Sequence, residues 1–410
     1  MSKIASYLSP YDEFPIHQSS QTFGYIPSTD FTWDDGCYFG IFSPRHKVFL
    51  CTGYRVNPNS DMIGGFALLN VAGIQRTLRF SRCWRRDMRT TVGPFSVEVV
   101  APLKTLRLKL EPNESGISFD ILWDGVSPAQ LEEHHLAEQR GRRTTDQTRY
   151  CQPGKPTGVL INGERQWDID PSQWSCARDH SWGLYAERRP LSPDPKWLPP
   201  RIKPGGIQRA LRFWIIFRSG DYSGFYHLHE DADGVQRDFS DVFGTALGGS
   251  IVKGWDGSRH PIVSAKHAAE YHPGTKILKR VVMSLTDSEG DQWTQEFIAA
   301  GMPWVGQTSG YYAGGWKDGG NVHTYHGSEE LAMEWDEFDF SKQPLMHHPY
   351  ATDGGALDGF GRGEKGPGSL VQGHVYLCET RTTAPDGSVH IGAAHVEHYF
   401  NGPYRPYGFE

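Results

Sequence analysis

Paired cysteines, long apolar runs and a basic surface are all missing from this 410-residue chain. Six cysteines (Cys37, Cys51, Cys83, Cys151, Cys176 and Cys378) lie far apart with no CxxC, which excludes a zinc ribbon or a thioredoxin-type motif and leaves scattered reduced thiols. No apolar stretch reaches the ~18 residues of a membrane-spanning helix. Lys plus Arg number 41 against 48 Asp plus Glu, a net charge of −7, so the basic stripe of a nucleic-acid-binding protein is not present. The opening MSKIASYLSPYDEF lacks the apolar core of a secretory signal, and a cytoplasmic location is expected. HExxH, Walker A and GxSxG patterns are absent, so neither a zinc-protease helix, a phosphate loop nor a nucleophile elbow is expected. Helical periodicity is scarce. The one clear candidate is Pro128–Gln139, with Ser127 as N-cap and Pro128 in the first turn.

Aromatic residues are plentiful: 13 Trp, 18 Tyr and 21 Phe supply a sizeable core. The 47 glycines and 27 prolines exceed ordinary usage and point to many turns between short strands. Period-2 patterns recur from Cys37–Phe42 to Val389–Phe400, and Asn162-Gly163 and Ala384–Gly387 mark hairpin turns. The chain reads as all-β. The similar grammar of Leu103–Asp124 and Ile277–Ala299 is that of a duplicated unit or of two unrelated hairpins. A boundary is expected in the Asp/Gly-rich stretch 231–249, dividing the chain into 1–240 and 241–410. Two loops stand out, Pro190–Gly206 with six prolines and the glycine-rich Gly354–Gly368.

The densest chemical cluster is CARDHSWG, Cys176–Gly183. On a strand, alternation puts Ala177, Asp179 and Ser181 on one face and Arg178, His180 and Trp182 on the other. Asp179 then acts either as an acid in a pocket or as a strand-end carboxylate that ties down a loop. His227-x-His229-Glu230 places two imidazoles on one face, but Asp233 and Gly234 stand where a further carboxylate ligand would be needed, so no metal site is assigned. His395-x-Glu397 reads as a polar strand face. The neighbours His134-His135 and His347-His348 diverge and do not form joint ligands.

The stretch RDHSWG, with PLKTLRLKLEPN, GISFDILWDGVSPAQLEEHH, RYCQPG (149–154), Phe213–Phe217 and Phe225–His229, resembles the AttH-like, lipocalin-like superfamily that includes the carotenoid 1,2-hydratases. The resemblance spans residues 30–300. It implies two consecutive lipocalin-like antiparallel β-barrel domains with few short helices and an apolar pocket in or between them. In the hydratases a His-x-Trp pair precedes a Tyr-x-Asp pair by about 29 residues. Aligned on Asp179, those positions hold Tyr150, Gln152 and Ala177 here, so only the carboxylate is kept. What the resemblance implies is a cofactor-independent lyase or isomerase of hydratase, dehydratase or cyclase type. Its substrate would be a small apolar terpenoid, steroid or polyketide-like molecule. Asp179 would be the proton donor, raised in pKa by burial, so Asp179→Asn is expected to abolish turnover. Tyr150 and His180 would be further acid–base groups, and Gln152, Trp174, Trp182 and Trp214 would line the substrate site. A lipocalin-like carrier with a structural Asp179, and a carbohydrate-active β-protein, are the alternatives. The implied partner is a small apolar substrate, with no nucleic acid and no membrane span, and a homo-oligomer is compatible with the reading.

Overall fold

In the computed structural model, residues 28–139, 141–185, 209–237, 245–301, 331–339, 375–400 and 402–409 are described, together with short pieces elsewhere. The Pro190–Gly206 loop lies outside the described residues, as does most of Gly354–Gly368. In chain order the first twelve strands are β1 (Trp33–Ser43), β2 (Val48–Asn57), β3 (Met62–Val71), β4 (Ile74–Cys83), β5 (Phe95–Ala101), β6 (Thr105–Leu110), β7 (Ile117–Gly125), β8 (Gln130–Leu131), β9 (His135–Gln139), β10 (Arg142–Asn162), β11 (Arg165–Ile169) and β12 (Ser175–Tyr185). Then follow β13 (Leu211–Ser219), β14 (Tyr222–Glu230), β15 (Leu247–Lys253), β16 (Arg259–Tyr271), β17 (Leu278–Asp287), β18 (Gln292–Ala299), β19 (Ala332–Asp339), the short hairpin β20 (Ala356–Leu357) and β21 (Gly363–Glu364), β22 (Val375–Thr383) and β23 (Val389–Phe400).

The protein is all-β, as the alternating patterns predict. Strands β13–β18, β22 and β23 close an eight-stranded antiparallel barrel in sequence order. The first half forms a curled sheet of thirteen strands in the order β19-β4-β3-β2-β1-β12-β10-β7-β6-β5, with β8, β9 and β11 added to β10. The sheet curls until Phe80 of β4 meets Phe95 of the edge strand β5, with ring centroids 5.3 Å apart. The free edge of β4 is taken by β19 instead, so this ladder curls without closing. Fully buried Arg79 of β4 pins that added strand through Glu334 and Asp336, at 2.5 and 2.6 Å.

Strands β14 and β15 flank residue 240 and pair with each other within the barrel, whose first strand begins at Leu211. One expectation changes here. Pro128–Gln139 is extended, forming β8 and β9. The reason lies in β10, which is 21 residues long. Its second half pairs with β7 from Gly154 onward, while its first half would leave a bare edge that β8 and β9 cover. Gly154 marks the exchange of neighbours. A Cβ there would come within 2.8 Å of both Trp123 and the Cys176 sulfur. Among the described residues no helix is long and apolar enough to cross a membrane.

The outer face of the first sheet packs on the outside of the barrel. Phe42, Phe49, Cys51, Phe66, Leu68, Cys151 and Ala177 meet Trp214, Ile216, Phe225, Val375 and Ala393. Within this contact sits Glu132, whose Oε1 accepts from the Cys151 thiol at 3.0 Å and from the Trp214 indole N–H at 3.2 Å. Burial opposes its charge, but Arg149 and His135 outweigh it and hold the carboxyl well below the usual range. The Glu132→Ala variant is expected to lose about 3–5 kcal/mol, because it leaves the buried Arg149 guanidinium uncompensated. For the wild type, a carboxyl depressed in the folded state stabilises above the ordinary glutamate value of 4.5 and loses that contribution as pH falls below it. Urea unfolding of both proteins between pH 3 and 7 checks this, the gap between them narrowing toward acid.

Candidate active site

Strands β1, β12 and β10 run side by side, and their register decides which side chains meet. Cys37 lies opposite His180 and Tyr38 opposite Asp179 across β1 and β12. Tyr150 lies opposite His180, Cys151 opposite Asp179, and Gln152 opposite Arg178 across β12 and β10. No bulge interrupts either ladder, so the period-2 split of RDHSWG holds. Arg178, His180 and Trp182 share the concave face of the first sheet with Tyr150 and Gln152. Asp179 shares the convex face with Ala177 and Cys151, turned toward the barrel.

On the concave face, near the end of the sheet, a chain of polar groups forms. The Asp35 carboxylate is 2.7 Å from His180 Nε2, and His180 Nδ1 is 3.2 Å from the Tyr150 hydroxyl. Burial works against a charged imidazole, but the hydrogen bond to the Asp35 carboxylate, with the Cys37 sulfur across the ladder adding to it, prevails, raising His180 to about 11. With both ring nitrogens protonated, Nε2–H donates to Asp35 and Nδ1–H to the Tyr150 oxygen. Arg178 approaches Tyr150 from below. Its guanidinium lies 5.2 Å from the Tyr150 ring centroid and 4.7 Å from that of fully buried Trp123. Gln152 fixes this arginine by accepting from Nε and Nη2 at 3.0 and 2.6 Å, while its own amide donates to the carbonyls of Leu103 and Ser127. Trp182 borders the chain edge-on, 5.2 Å from the His180 ring and 6.3 Å from the Tyr150 ring. Tyr150, His180 and Trp182 are all half-buried, as at the rim of a bowl, whereas Arg178 and Gln152 form its floor.

Of the seven residues expected from the sequence, the structure therefore brings four together: Tyr150, Gln152, His180 and Trp182. Gln152 touches Arg178 and two backbone carbonyls, so it positions the guanidinium. The other three are elsewhere. Asp179 points into the contact with the barrel, where its charge acts on Tyr38, Cys51 and Cys151. Trp214 is in that same contact, edge-on to His395 and Phe225. Trp174 is buried in the core of the first sheet and stacks on His46. Eight residues of extended chain, ~26 Å, separate it from Trp182. Sequence reasoning missed Asp35, Cys37 and Arg178 as members of the group. Arg178 stood in the motif at the correct parity, whereas Asp35 and Cys37 reach it only through the pairing of β1 with β12, which no local pattern encodes.

The histidines of the barrel behave differently. His227 and His229 do share a strand face, with rings 5.0 Å apart. His227 Nε2 contacts the Thr245 carbonyl at 3.1 Å, and Arg212 donates to His229 Nε2 at 3.3 Å. Burial lowers His227 to about 4 and also lowers His229. Among the described residues no cluster of three or more His, Cys, Asp or Glu side chains is arranged for a metal ion. The Asp35→Asn variant is expected to bring His180 down from about 11 toward the ordinary imidazole value of 6.5. An NMR titration of the imidazole resonances reads this directly; an unmoved His180 would show that Asp35 does not hold its proton.

The chain is similar to several solved structures, three of which follow. Kievitone hydratase from Nectria haematococca is 10% identical over 97% of this chain and 96% of that chain, with a TM-score of 0.40. CghA with Sch210972 is 10% identical over 96% of each chain, with a TM-score of 0.46. CghA by itself is 9% identical over 97% of this chain and 98% of that chain, with a TM-score of 0.44. A search of curated proteins finds no significant match. A family model does match, over residues 8–347, and the chain accordingly belongs to that family of unknown function, DUF8625.

Proposed function

We propose that the chain is an acid–base lyase or isomerase, of hydratase, dehydratase or cyclase type, acting on an apolar terpenoid, steroid or polyketide-like molecule that carries an oxygen function. The observation that supports this is the Asp35–His180–Tyr150 chain on the rim of an aromatic bowl. The Tyr150 oxygen accepts from the His180 imidazolium, and the Arg178 guanidinium lies over the Tyr150 ring. The hydroxyl's own proton is the one left to donate. A substrate carbonyl or departing hydroxyl placed against Tyr150 receives that proton, and the phenolate left behind is stabilised by the imidazolium at its oxygen and the guanidinium over its ring. Asp35 keeps His180 charged and oriented. Trp182 offers an aromatic face to the carbon that becomes electron-poor. Capture by water gives hydration, the reverse gives dehydration, and capture by an internal alkene or hydroxyl gives cyclisation.

The reading moves the acid from Asp179 to Tyr150, because the Asp179 side chain lies on the opposite face of β12. The resemblance carried by RDHSWG supports the reaction class and leaves the choice of acid to geometry.

The test is turnover of a panel of steroid, terpenoid and polyketide enones and β-hydroxyketones in D2O, followed by mass spectrometry. Wild-type protein is expected to add or lose water, or to cyclise, at least one of them with solvent deuterium incorporated. Tyr150→Phe is expected to lose about a hundredfold or more in rate, with Asp179→Asn affected far less. A Tyr150→Phe protein as fast as wild type removes Tyr150 from the mechanism. Wild-type protein that binds members of the panel but transforms none is a carrier.

A further inference from the structure

An arginine taken out of water ordinarily takes a carboxylate with it. The buried Arg55, Arg79, Arg82 and Arg212 do so, pairing with Asp34, Glu334, Asp87 and Glu397 at 2.8, 2.5, 2.9 and 3.1 Å. Arg178, on the floor of the concave bowl and only 2% exposed, does not. Its Nε and Nη2 both donate to the neutral carbonyl oxygen of Gln152, and among the described residues no carboxylate stands within ion-pair distance of it. The rings of Trp123 and Tyr150, at 4.7 and 5.2 Å, attract the guanidinium without neutralising it. Its Nη1 has no hydrogen-bond partner among the described residues and is not sealed from solvent. Burial lowers the Arg178 pKa; at Arg212 burial acts the same way and Glu397 reverses it. Gln152 is itself anchored, its amide donating to the carbonyls of Leu103 and Ser127, so its oxygen is the atom turned to the arginine. The guanidinium is thus fixed in place and left charged. His180 and Asp35, 2.7 Å apart, balance each other, so this group of side chains keeps one positive charge in a chain whose net charge is −7.

We propose that the bowl takes an apolar carboxylic acid in its ionised form, with the carboxylate on Arg178 and a carbonyl or hydroxyl of the same molecule against Tyr150. The proposal rests on the acid–base reading for what happens at Tyr150 and adds the class of molecule brought to it. A carboxylate at Nη1 supplies the missing counter-ion in a charge-assisted hydrogen bond, which the ester of the same acid cannot do. One uncompensated charge matches a monoanion. A phosphate monoester brings up to two charges and three acceptor oxygens, more than one free guanidinium group can satisfy. The rest of the ligand is apolar because Tyr150 and Trp182 present rings at the rim. With the carboxylate on Arg178, the Tyr150 oxygen keeps the His180 imidazolium as its direct partner. Gln152 acts as a specificity-determining residue: its neutral oxygen holds the arginine and leaves the charge for the ligand.

The full-length protein is titrated at pH 7 with farnesoic, retinoic and lithocholic acids, with the methyl ester of each, and with farnesyl phosphate, binding being read by calorimetry. Wild type is expected to bind at least one acid about tenfold or more tightly than its ester, and farnesoic acid more tightly than farnesyl phosphate. Arg178→Gln is expected to weaken that acid by about tenfold and leave the ester unchanged, so that the preference disappears. Arg178→Lys, which keeps the charge but not the fork, is expected to retain part of it. Tyr150→Phe keeps the ring against the guanidinium and is expected to keep the preference, which separates the hold on the anion from the proton donor. No acid bound better than its ester by wild type, or a preference that survives in Arg178→Gln, overturns the proposal. Farnesyl phosphate bound more tightly than farnesoic acid overturns the choice of carboxylate. Circular dichroism checks each variant, and if Arg178→Gln does not fold, the wild-type preference and its fall in Arg178→Lys decide. Failure here is distinct from failure of the acid–base reading. Tyr150-dependent turnover of neutral ketones without an acid preference removes only the anion, and an acid preference without turnover removes only the chemistry.

Discussion

The burial of β10 between two partners on its opposite faces is the constraint from which the rest follows. On one side Thr145, Gln147, Arg149 and Cys151 are buried, Cys151 donating to Glu132 and Arg149 setting its charge against it. Because a strand repeats every two residues, fixing that side fixes the other. Tyr150 and Gln152 are then obliged to face the concave side, and pairing with β12 brings His180 and Arg178 to them. A slip of one residue would send Tyr150 into the inter-sheet contact and Arg149 into the bowl. The buried carboxylate is therefore as much a register device as a source of stability. Its hydrogen bonds from Cys151 and from Trp214 of the barrel are satisfied together in one alignment only.

The same logic explains what was legible in the sequence. Hairpins announced themselves wherever turn chemistry was local. Asn162-Gly163 joins β10 to β11, and Ala72-Gly73, both at positive φ, joins β3 to β4. The parity of RDHSWG was also legible, since it needs only the strand period. Three things were not. The extended form of residues 130–139 depends on an edge of β10 some ten residues away, and in so short a window its amphipathic pattern suits a helix equally well. The return of β19 to β4 is a non-local pairing across some 250 residues of chain. Asp35 and Cys37 carried no motif of their own, and became part of a site only when β1 was laid beside β12.

The contrast among histidines shows how position selects chemistry. His395 contacts the Tyr38 hydroxyl at 2.8 Å in the inter-sheet contact, and burial brings it down to about 4, so the pair is neutral at ordinary pH. His180 also touches a tyrosine, but at the rim, with a carboxylate on its other nitrogen, and it is held charged. Two Tyr–His pairs thus sit on opposite faces of neighbouring strands with opposite charge states. The deciding element is the carboxylate aligned with the far ring nitrogen rather than the tyrosine common to both.

That difference also bears on where a small molecule would be handled. The inter-sheet contact is closely filled: Gly40 is there because a Cβ would press within 3.3 Å of both Phe49 and His395. A neutral Tyr–His pair in such packing serves to satisfy polar atoms without bringing charge into the seam. At the rim, half-exposed rings stand over a floor of Arg178, Gln152 and Trp123, so positive charge is fixed beneath a surface that an apolar molecule can reach. Charge that is already oriented before a ligand arrives requires little reorganisation when negative charge develops on an oxygen. Under the proposed function, this preorganisation is what makes the concave rim, and not the other face of β12, the reactive side. The face bearing Asp179, although it holds the residue most prominent in the sequence, is occupied by the contact that keeps the two halves of the protein in register.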